Sequence, residues 1–287
     1  MLIWVLLLAT WEAAYRLNAY DKYTRPNGWK PWIFPAPSHI LDATLDLLNI
    51  QTAFGDPLHH GWPRIQDQPL VASGGVIRSK LVFANLTSGI RLAGGFVVSV
   101  FLGVMLGAVM RRFRPVNSFF GPVALGLQTL PSVCWVPIAI VIFSYSEMGI
   151  LFVMVMGSMF AVAISFRDGL GAIPPLYERA GLMLGASGWR LYRYILLPAS
   201  LPAMSSGLRQ GFSFSWRSLM GAELVFGASL SPKGLGSVLE DARAYNGTAY
   251  VIAVMIVMVI FGMVADRLVF GPLEKKISHR FGLSGAK

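Results

Sequence analysis

The chain has 287 residues, 55% of them hydrophobic and only 13% charged, with a formal net charge of +10. A soluble domain carries about 25% charge, so the composition describes an integral membrane protein, and the basic excess, placed at the ends of apolar runs, argues against a nucleic-acid partner. The single cysteine, Cys134, excludes an intrachain disulfide and a Cys-cluster metal site, and in its apolar run it is read as a packing residue.

Residues 1–20 open with an apolar run, Met1 to Ala14, broken only by Glu12. It lacks a basic leader and a small-residue cleavage pattern, and it is read as a short first transmembrane helix, not a cleaved signal. The missing cytosolic flank leaves open whether Met1 is the true start. Residues 21–84 differ in kind: Pro26, Pro31, Pro35, Pro37, Pro57, Pro63 and Pro69 punctuate a polar stretch, and only Ile40 to Leu48 has helical spacing. This is expected to be an extracytoplasmic loop with one surface helix, long enough to be functional or partner-facing. His59 and His60 are not read as a metal site, because neighbours on an extended chain point to opposite sides and no third ligand is near.

A membrane core is expected over 85–271. Gly89 to Met110 reads as a span with Arg91 near its outer end, and Gly95, Ser99, Gly103 and Gly107 form a small-residue ridge that lets another helix approach. Arg111, Arg112 and Arg114 follow and mark the cytosolic side. Val116 to Tyr145 returns outward with Pro122, Pro131 and Pro137, a density that means kinks or a broken helix. Gln128, Thr129 and Ser132 beside Pro131 either line a pathway or pack. Glu147 sits in an outer turn, and Gly149 to Ser165 runs inward to Arg167 and Asp168.

The cytosolic stretch 168–197 is amphipathic and Arg-rich. Tyr177 to Pro198 reads as two short helices joined at a bend. Pro174 and Pro175 open the first helix, Glu178 lies near its positive end, and Gly185 ends it in the left-handed conformation. Ser187 caps the second helix, Arg190 and Arg193 lie in its later turns, and Pro198 closes the unit and starts the next helix. Trp189, Arg190 and Tyr192 are read as docking contacts or, alternatively, as membrane-interface anchors.

Pro198 to Val225 runs outward with Arg209, Trp216 and Glu223 spaced by heptads, and Ser213 and Met220 on the same stripe. Counting from Pro198 puts Arg209 about 16 Å in, near the middle of a core about 30 Å thick. A charge there either lines the solute path or is structural, bonding freed carbonyls or pinning a dimer. Arg217 lies nearer the outer surface. Residues 226–248 read as a Gly-rich outer loop, 249–265 as the last span, and 272–287 as a cytosolic tail. The Lys and Arg distribution yields six spans with both termini cytosolic.

No Gly-rich phosphate loop, Ser-His-Asp set or metalloprotease pattern occurs, so energy is expected from another subunit. The stretch from Tyr177 to Pro198 resembles the "EAA" loop of bacterial ABC-importer permeases. Gly185, Ile195, Leu197 and Pro198 fit its spacing, and Ala180 and Gly181 stand where its two alanines belong. Arg179 occupies the acidic position, with Glu178 one residue earlier. Pro35-Ala36-Pro37-Ser38, Trp216 with Ala222-Glu223, and Gly234-Leu235-Gly236 with Ala242-Arg243 resemble the nitrate, taurine/sulfonate and bicarbonate group.

The resemblance implies an all-α integral membrane protein with six transmembrane helices and the type I ABC importer permease fold. It implies no catalytic residue, metal or cofactor in this chain, with ATP and Mg held by a partner ATPase. Glu178, Arg179, Ala180, Gly181, Gly185, Ala186, Ser187, Trp189, Arg190, Ile195, Leu197 and Pro198 would meet that ATPase. The other partners implied are a second permease copy in a homodimer, an extracytoplasmic substrate-binding protein and membrane lipid, in the bacterial inner membrane. The solute class implied is a small anion: nitrate, sulfonate/taurine or bicarbonate. Arg209, Ser213, Trp216, Glu223, Gln128 and Ser132 are the candidate pathway residues. A secondary transporter would want paired intramembrane carboxylates and repeats, a membrane enzyme would want clustered catalytic groups, and a membrane scaffold would not need the polar stripe.

Overall fold

A computed structural model describes residues 6–14, 35–47, 80–227, 229–244 and 248–280, and among them every regular element is helical. In chain order these are α1 (6–14), α2 (Pro37–Leu47), α3 (Lys80–Arg112), α4 (Arg114–Thr129), a 3-10 turn (Ser132–Trp135), α5 (Val136–Phe143) and α6 (Glu147–Gly171). Then follow α7 (Pro175–Met183), α8 (Trp189–Leu191), a π turn (Tyr192–Leu196), α9 (Leu197–Phe226), α10 (Leu235–Ala244) and α11 (Thr248–Arg280). Most of the expected 21–84 loop, including His59 and His60, and the end of the expected tail lie outside the described residues.

The chain divides into two compact units. One comprises Met1–Ser88 and Gly227–Phe261. Here α2 covers most of the stretch read as helical, Ile40 to Leu48, with Ile40 and Ala43 buried and Leu41 exposed. The Ser38 N–H and hydroxyl both donate to the Glu12 carboxylate, at 3.2 and 3.1 Å. The span expected from Gly89 starts at Lys80, and two of its early polar residues donate back to their own helix: Asn85 Nδ2 to the Leu81 carbonyl and Thr87 to the Phe83 carbonyl. The stretch expected as a Gly-rich loop contains α10. Leu235, Val238 and Ala242 recur at helical spacing and are all buried, and the Leu235 N–H donates to Ser88 Oγ at 2.9 Å.

The other unit comprises Gly89–Phe226 and Gly262–Lys287. Its centre is α6 against α9, antiparallel and closely approached. A Cβ on Gly169 would meet Met204, one on Gly207 Ser165, one on Gly211 Val162, one on Gly157 Ser218, and one on Gly149 Phe226. Both helices contribute small residues along the crossing, which is how helices without a hydrophobic drive between them gain van der Waals contact in lipid. The expected ridge on α3 packs in the same way. A Cβ on Gly95 would meet Met154, one on Gly103 the Met159 carbonyl and Val162, and one on Gly107 the Ala163 carbonyl and Phe166. The residue numbers rise together on the two helices, so α3 and α6 run parallel.

Among the described residues three helices are long and apolar enough to cross a membrane: Leu81–Arg112, Glu147–Gly171 and Thr248–Ile277. A fourth span is available if α4 and the segment Ser132–Phe143 count as one, bent by 104°. The break falls at Pro131, where the density of prolines predicted it, whereas Pro122 is carried inside α4 and Pro137 sits in the first turn of α5. The 30 residues of α9 reach about 45 Å, but Arg209, Gln210, Arg217 and Glu223 keep it from matching the other three in apolarity.

Candidate functional site

The knob between α6 and α9 is built by local backbone rules. Pro174 precedes α7, Pro175 takes its first position and Glu178 its first turn. At the far end the Gly185 N–H donates to the Leu182 carbonyl and the Ala186 N–H to the Gly181 carbonyl, both at 3.0 Å. This is the Schellman pairing, and it needs the left-handed residue that Gly185 supplies at φ 78°. Gly188 is also left-handed, at φ 56°, so the chain turns twice before it re-enters a helix. Gly181 closes the knob: a Cβ there would sit 2.5 Å from both Leu191 Cδ1 and Ile195 Cδ1.

The second half differs from the expectation. Ser187 contributes its carbonyl, which accepts the Arg190 N–H at 3.2 Å. No separate helix ends at Pro198. Three residues of α8 pass through the π turn directly into α9. The reason is Pro198 itself, which lacks an N–H and whose ring crowds the carbonyl four residues back. Widening the turn, so that the Leu197 N–H bonds Tyr192 O, makes room without ending the helix.

Of the residues expected to meet a partner, Glu178, Arg179, Ala180, Gly185, Ser187 and Arg190 are exposed, Gly181 is buried, and Ala186, Ile195, Leu197 and Pro198 are half-buried. The Trp189 side chain lies outside the described residues. The tip also carries apolar groups missing from the expectation. Leu176, Tyr177 and Leu182 are exposed, and Met183 and Leu184 are 89% and 84% exposed. A cleft of about 380 Å³ lies beside the tip, lined by Arg111, Arg112, Leu170, Pro174, Glu178 and Tyr192 among others.

Charged groups cluster at two levels of the helix bundle. At one level Arg91 of α3 bonds Glu147 at the start of α6 and Glu223 near the end of α9. At the other lie Arg111, Arg112 and Arg167, whose guanidinium bonds Asp168 at 2.7 Å and Asn117 at 3.1 Å. Arg91 to Arg111 and Glu147 to Arg167 each correspond to about 30 Å of helix, the thickness of a hydrocarbon core.

The same scale places Arg209. It lies about 21 Å along α9 from Glu223, on the knob side of the middle and still nearer the middle than the Arg111 level, although α9 extends past that level before reaching Pro198. Its Nε donates to Asp266 Oδ1 and its Nη1 to Glu274 Oε1, each at 2.9 Å. Trp216 packs against Gly262 of α11, and the Ser213 hydroxyl donates to the Arg209 carbonyl.

Gln128 and Ser132 flank the break between α4 and α5. Ser132 lies beside Gly157 and Ser218, halfway along the α6–α9 crossing, and Gln128 Oε1 is buried with no hydrogen-bond partner among the described residues. Glu223 therefore sits at the Arg91 level while Trp216, Ser213 and Arg209 spread over about 10–21 Å of α9 from it, and the six candidate pathway residues do not converge on one point. Sequence reasoning missed Arg91 and Glu147, whose meeting depends on the parallel register of α3 and α6. It also missed Asp266 and Glu274, whose spacing of two helical turns on α11 was the available signal.

Residues 99–271, more than half of the chain, match the family described as binding-protein-dependent transport system inner membrane component. A bicarbonate transport system permease protein of Synechococcus elongatus is 27% identical over 70% of this chain and 71% of its own. A nitrate import permease protein of Synechocystis is 28% identical over 66% of each. A protein of Methanocaldococcus jannaschii, itself only provisionally assigned as an ABC transporter permease, is 29% identical over 70% of this chain and 72% of its own.

Proposed function

This chain belongs to the family of binding-protein-dependent transport system inner membrane components, and on that footing we propose that it imports a small oxyanion of the nitrate, sulfonate or bicarbonate class, driven by ATP hydrolysed on a separate subunit. The observation that carries the ATPase half is the knob: a structured projection at the arginine-rich level whose tip exposes Leu176, Met183 and Leu184. Exposed apolar groups rimmed by Glu178, Arg179 and Arg190 have the composition of a docking surface. The anion class is supported by the bicarbonate and nitrate permeases among the relatives.

In this reading six spans form a type I importer permease: α1, α3, the broken pair α4–α5, α6, α9 and α11. The directions of α3, α6 and α9 agree with both termini and the knob being cytosolic. Two copies pair, and an extracytoplasmic binding protein delivers the solute. ATP closes the ATPases, the knobs follow, and α9 moves with them, because the π turn joins knob and helix without a flexible link. The solute passes near the break at Pro131, where Gln128 and Ser132 offer polar groups at mid-depth. Arg209, held by Asp266 and Glu274, ties α9 to α11 so that they move together.

The test is uptake into proteoliposomes containing this chain, its ATPase and its binding protein, with labelled bicarbonate, nitrate and taurine. ATP-dependent uptake of one of them, abolished when the ATPase cannot hydrolyse ATP, is the expected result. Uptake that follows a proton or sodium gradient and ignores ATP would make the protein a secondary transporter instead.

A further inference from the structure

Arg91 uses its two sides differently. Its Nη1 donates to Glu223 Oε1 at 2.9 Å, and the Glu223 side chain has no exposed surface. That bond anchors the guanidinium from inside the bundle. The opposite edge meets both oxygens of Glu147: Nε donates to Oε2 at 2.8 Å and Nη2 to Oε1. Glu147 is 51% exposed, whereas the Arg91 side chain is 10% exposed. One edge is thus held by a buried partner and the other by a half-exposed carboxylate at the first position of α6.

We infer that the Nε/Nη2 edge of Arg91 is a binding site for a small planar oxyanion, with the Glu147 carboxylate as a built-in competitor for the same two donors. A carboxylate presents two coplanar oxygens to the guanidinium fork, and bicarbonate and nitrate present the same pair. Exchange of Glu147 for a monoanion leaves the charge at Arg91 unchanged, so no buried charge is stranded, and Glu147 is rehydrated as it leaves. The Glu223 anchor holds the fork in place before the ligand arrives, which spares the ordering cost of a mobile arginine. The site lies at the end of the bundle remote from the knob, where solute would enter in the proposed orientation. The inference rests on the proposal that the protein handles small oxyanions.

The experiment is a titration of the purified full-length permease in nanodiscs with sodium bicarbonate and sodium nitrate, at ionic strength held constant with sodium chloride, reading thermal stability. The wild type should be stabilised by at least one oxyanion beyond the chloride control. Glu147→Gln removes the competing charge at an exposed position and should lower the half-saturating concentration by about tenfold, or about 1.4 kcal/mol. Arg91→Lys, which lacks the fork, should lose the oxyanion response. An unmoved half-saturation in Glu147→Gln, or no response in the wild type beyond chloride, overturns the site. ATP-driven uptake by the same variants, reconstituted with the ATPase and the binding protein in proteoliposomes, separates the two proposals. Uptake that persists while the titration fails removes only the Arg91 site, whereas no uptake of any of the three solutes removes the functional proposal and leaves the titration to decide the site.

Discussion

Replacing Gly185 isolates the bend from every other feature of the knob. A Cβ at this position meets nothing within 4 Å, so a side chain adds no packing clash. The cost is conformational: φ of 78° costs an L-residue about 1–2 kcal/mol, more for a β-branched one and less for Asn. Abandoning the bend instead forfeits the Gly185–Leu182 and Ala186–Gly181 bonds, each worth about 0.5–1.5 kcal/mol net. Either route sets the penalty of Gly185→Val near 2 kcal/mol, which lowers the population of the docking-competent knob by up to about thirtyfold and its apparent ATPase affinity by the same factor. Gly185→Asn should lose only a few-fold. The assay is ATPase binding to each variant in nanodiscs, with membrane insertion checked in parallel. Wild-type affinity in the Val variant would refute the reasoning, and equal losses in Val and Asn would show that side-chain volume, not the left-handed bend, is what matters.

Gly103→Ala should destabilise the permease by about 1–3 kcal/mol, because its Cβ would lie 2.7 Å from the Met159 carbonyl, which cannot yield as a side chain can. Gly94→Ala, with open space at the same helix, should be neutral or stabilising by about 0.5–1 kcal/mol; thermal unfolding in the reverse order would deny the α3–α6 packing. A double-mutant cycle of Arg209→Gln with Asp266→Asn should give a coupling of at most about 1 kcal/mol, since the guanidinium is 45% exposed; additive effects would remove Arg209 as a tie between α9 and α11. Reporters inserted beside Ala172 and after Lys287 should read as cytosolic and one near Gly61 as external, and an external reading at Ala172 would invert the topology.

Features set by neighbouring residues were legible in the sequence. Gly185 announced its bend because a helix stop with a left-handed residue is a local rule, and Pro131 announced the break for the same reason. The ridge of Gly95, Gly103 and Gly107 announced a close helix approach, though not that α6 would be the partner. Gly188 was hidden behind Ser187, whose N-cap reading fitted the same two residues. Pro198 does stand in the first turn of α9, as its sequence reading had it, but the π turn carries the chain into that helix where a stop was expected. Leu235, Val238 and Ala242 carried a helical stripe that the surrounding glycines obscured. The partners of Arg209 on α11 and the Arg91–Glu147–Glu223 cluster depend on where one helix lies against another, and no window of a single sequence contains that register.

Hydrogen–deuterium exchange of the nanodisc-embedded permease, with and without its ATPase, tests most directly whether the knob is where ATP hydrolysis is coupled to transport. Amides from Tyr177 to Leu191 should slow on adding the ATPase, most strongly around Met183 to Ala186, while those of Gly94 to Gly107 should not change. Unchanged exchange across 177–191 in a complex shown by other means to have assembled would contradict coupling at the knob.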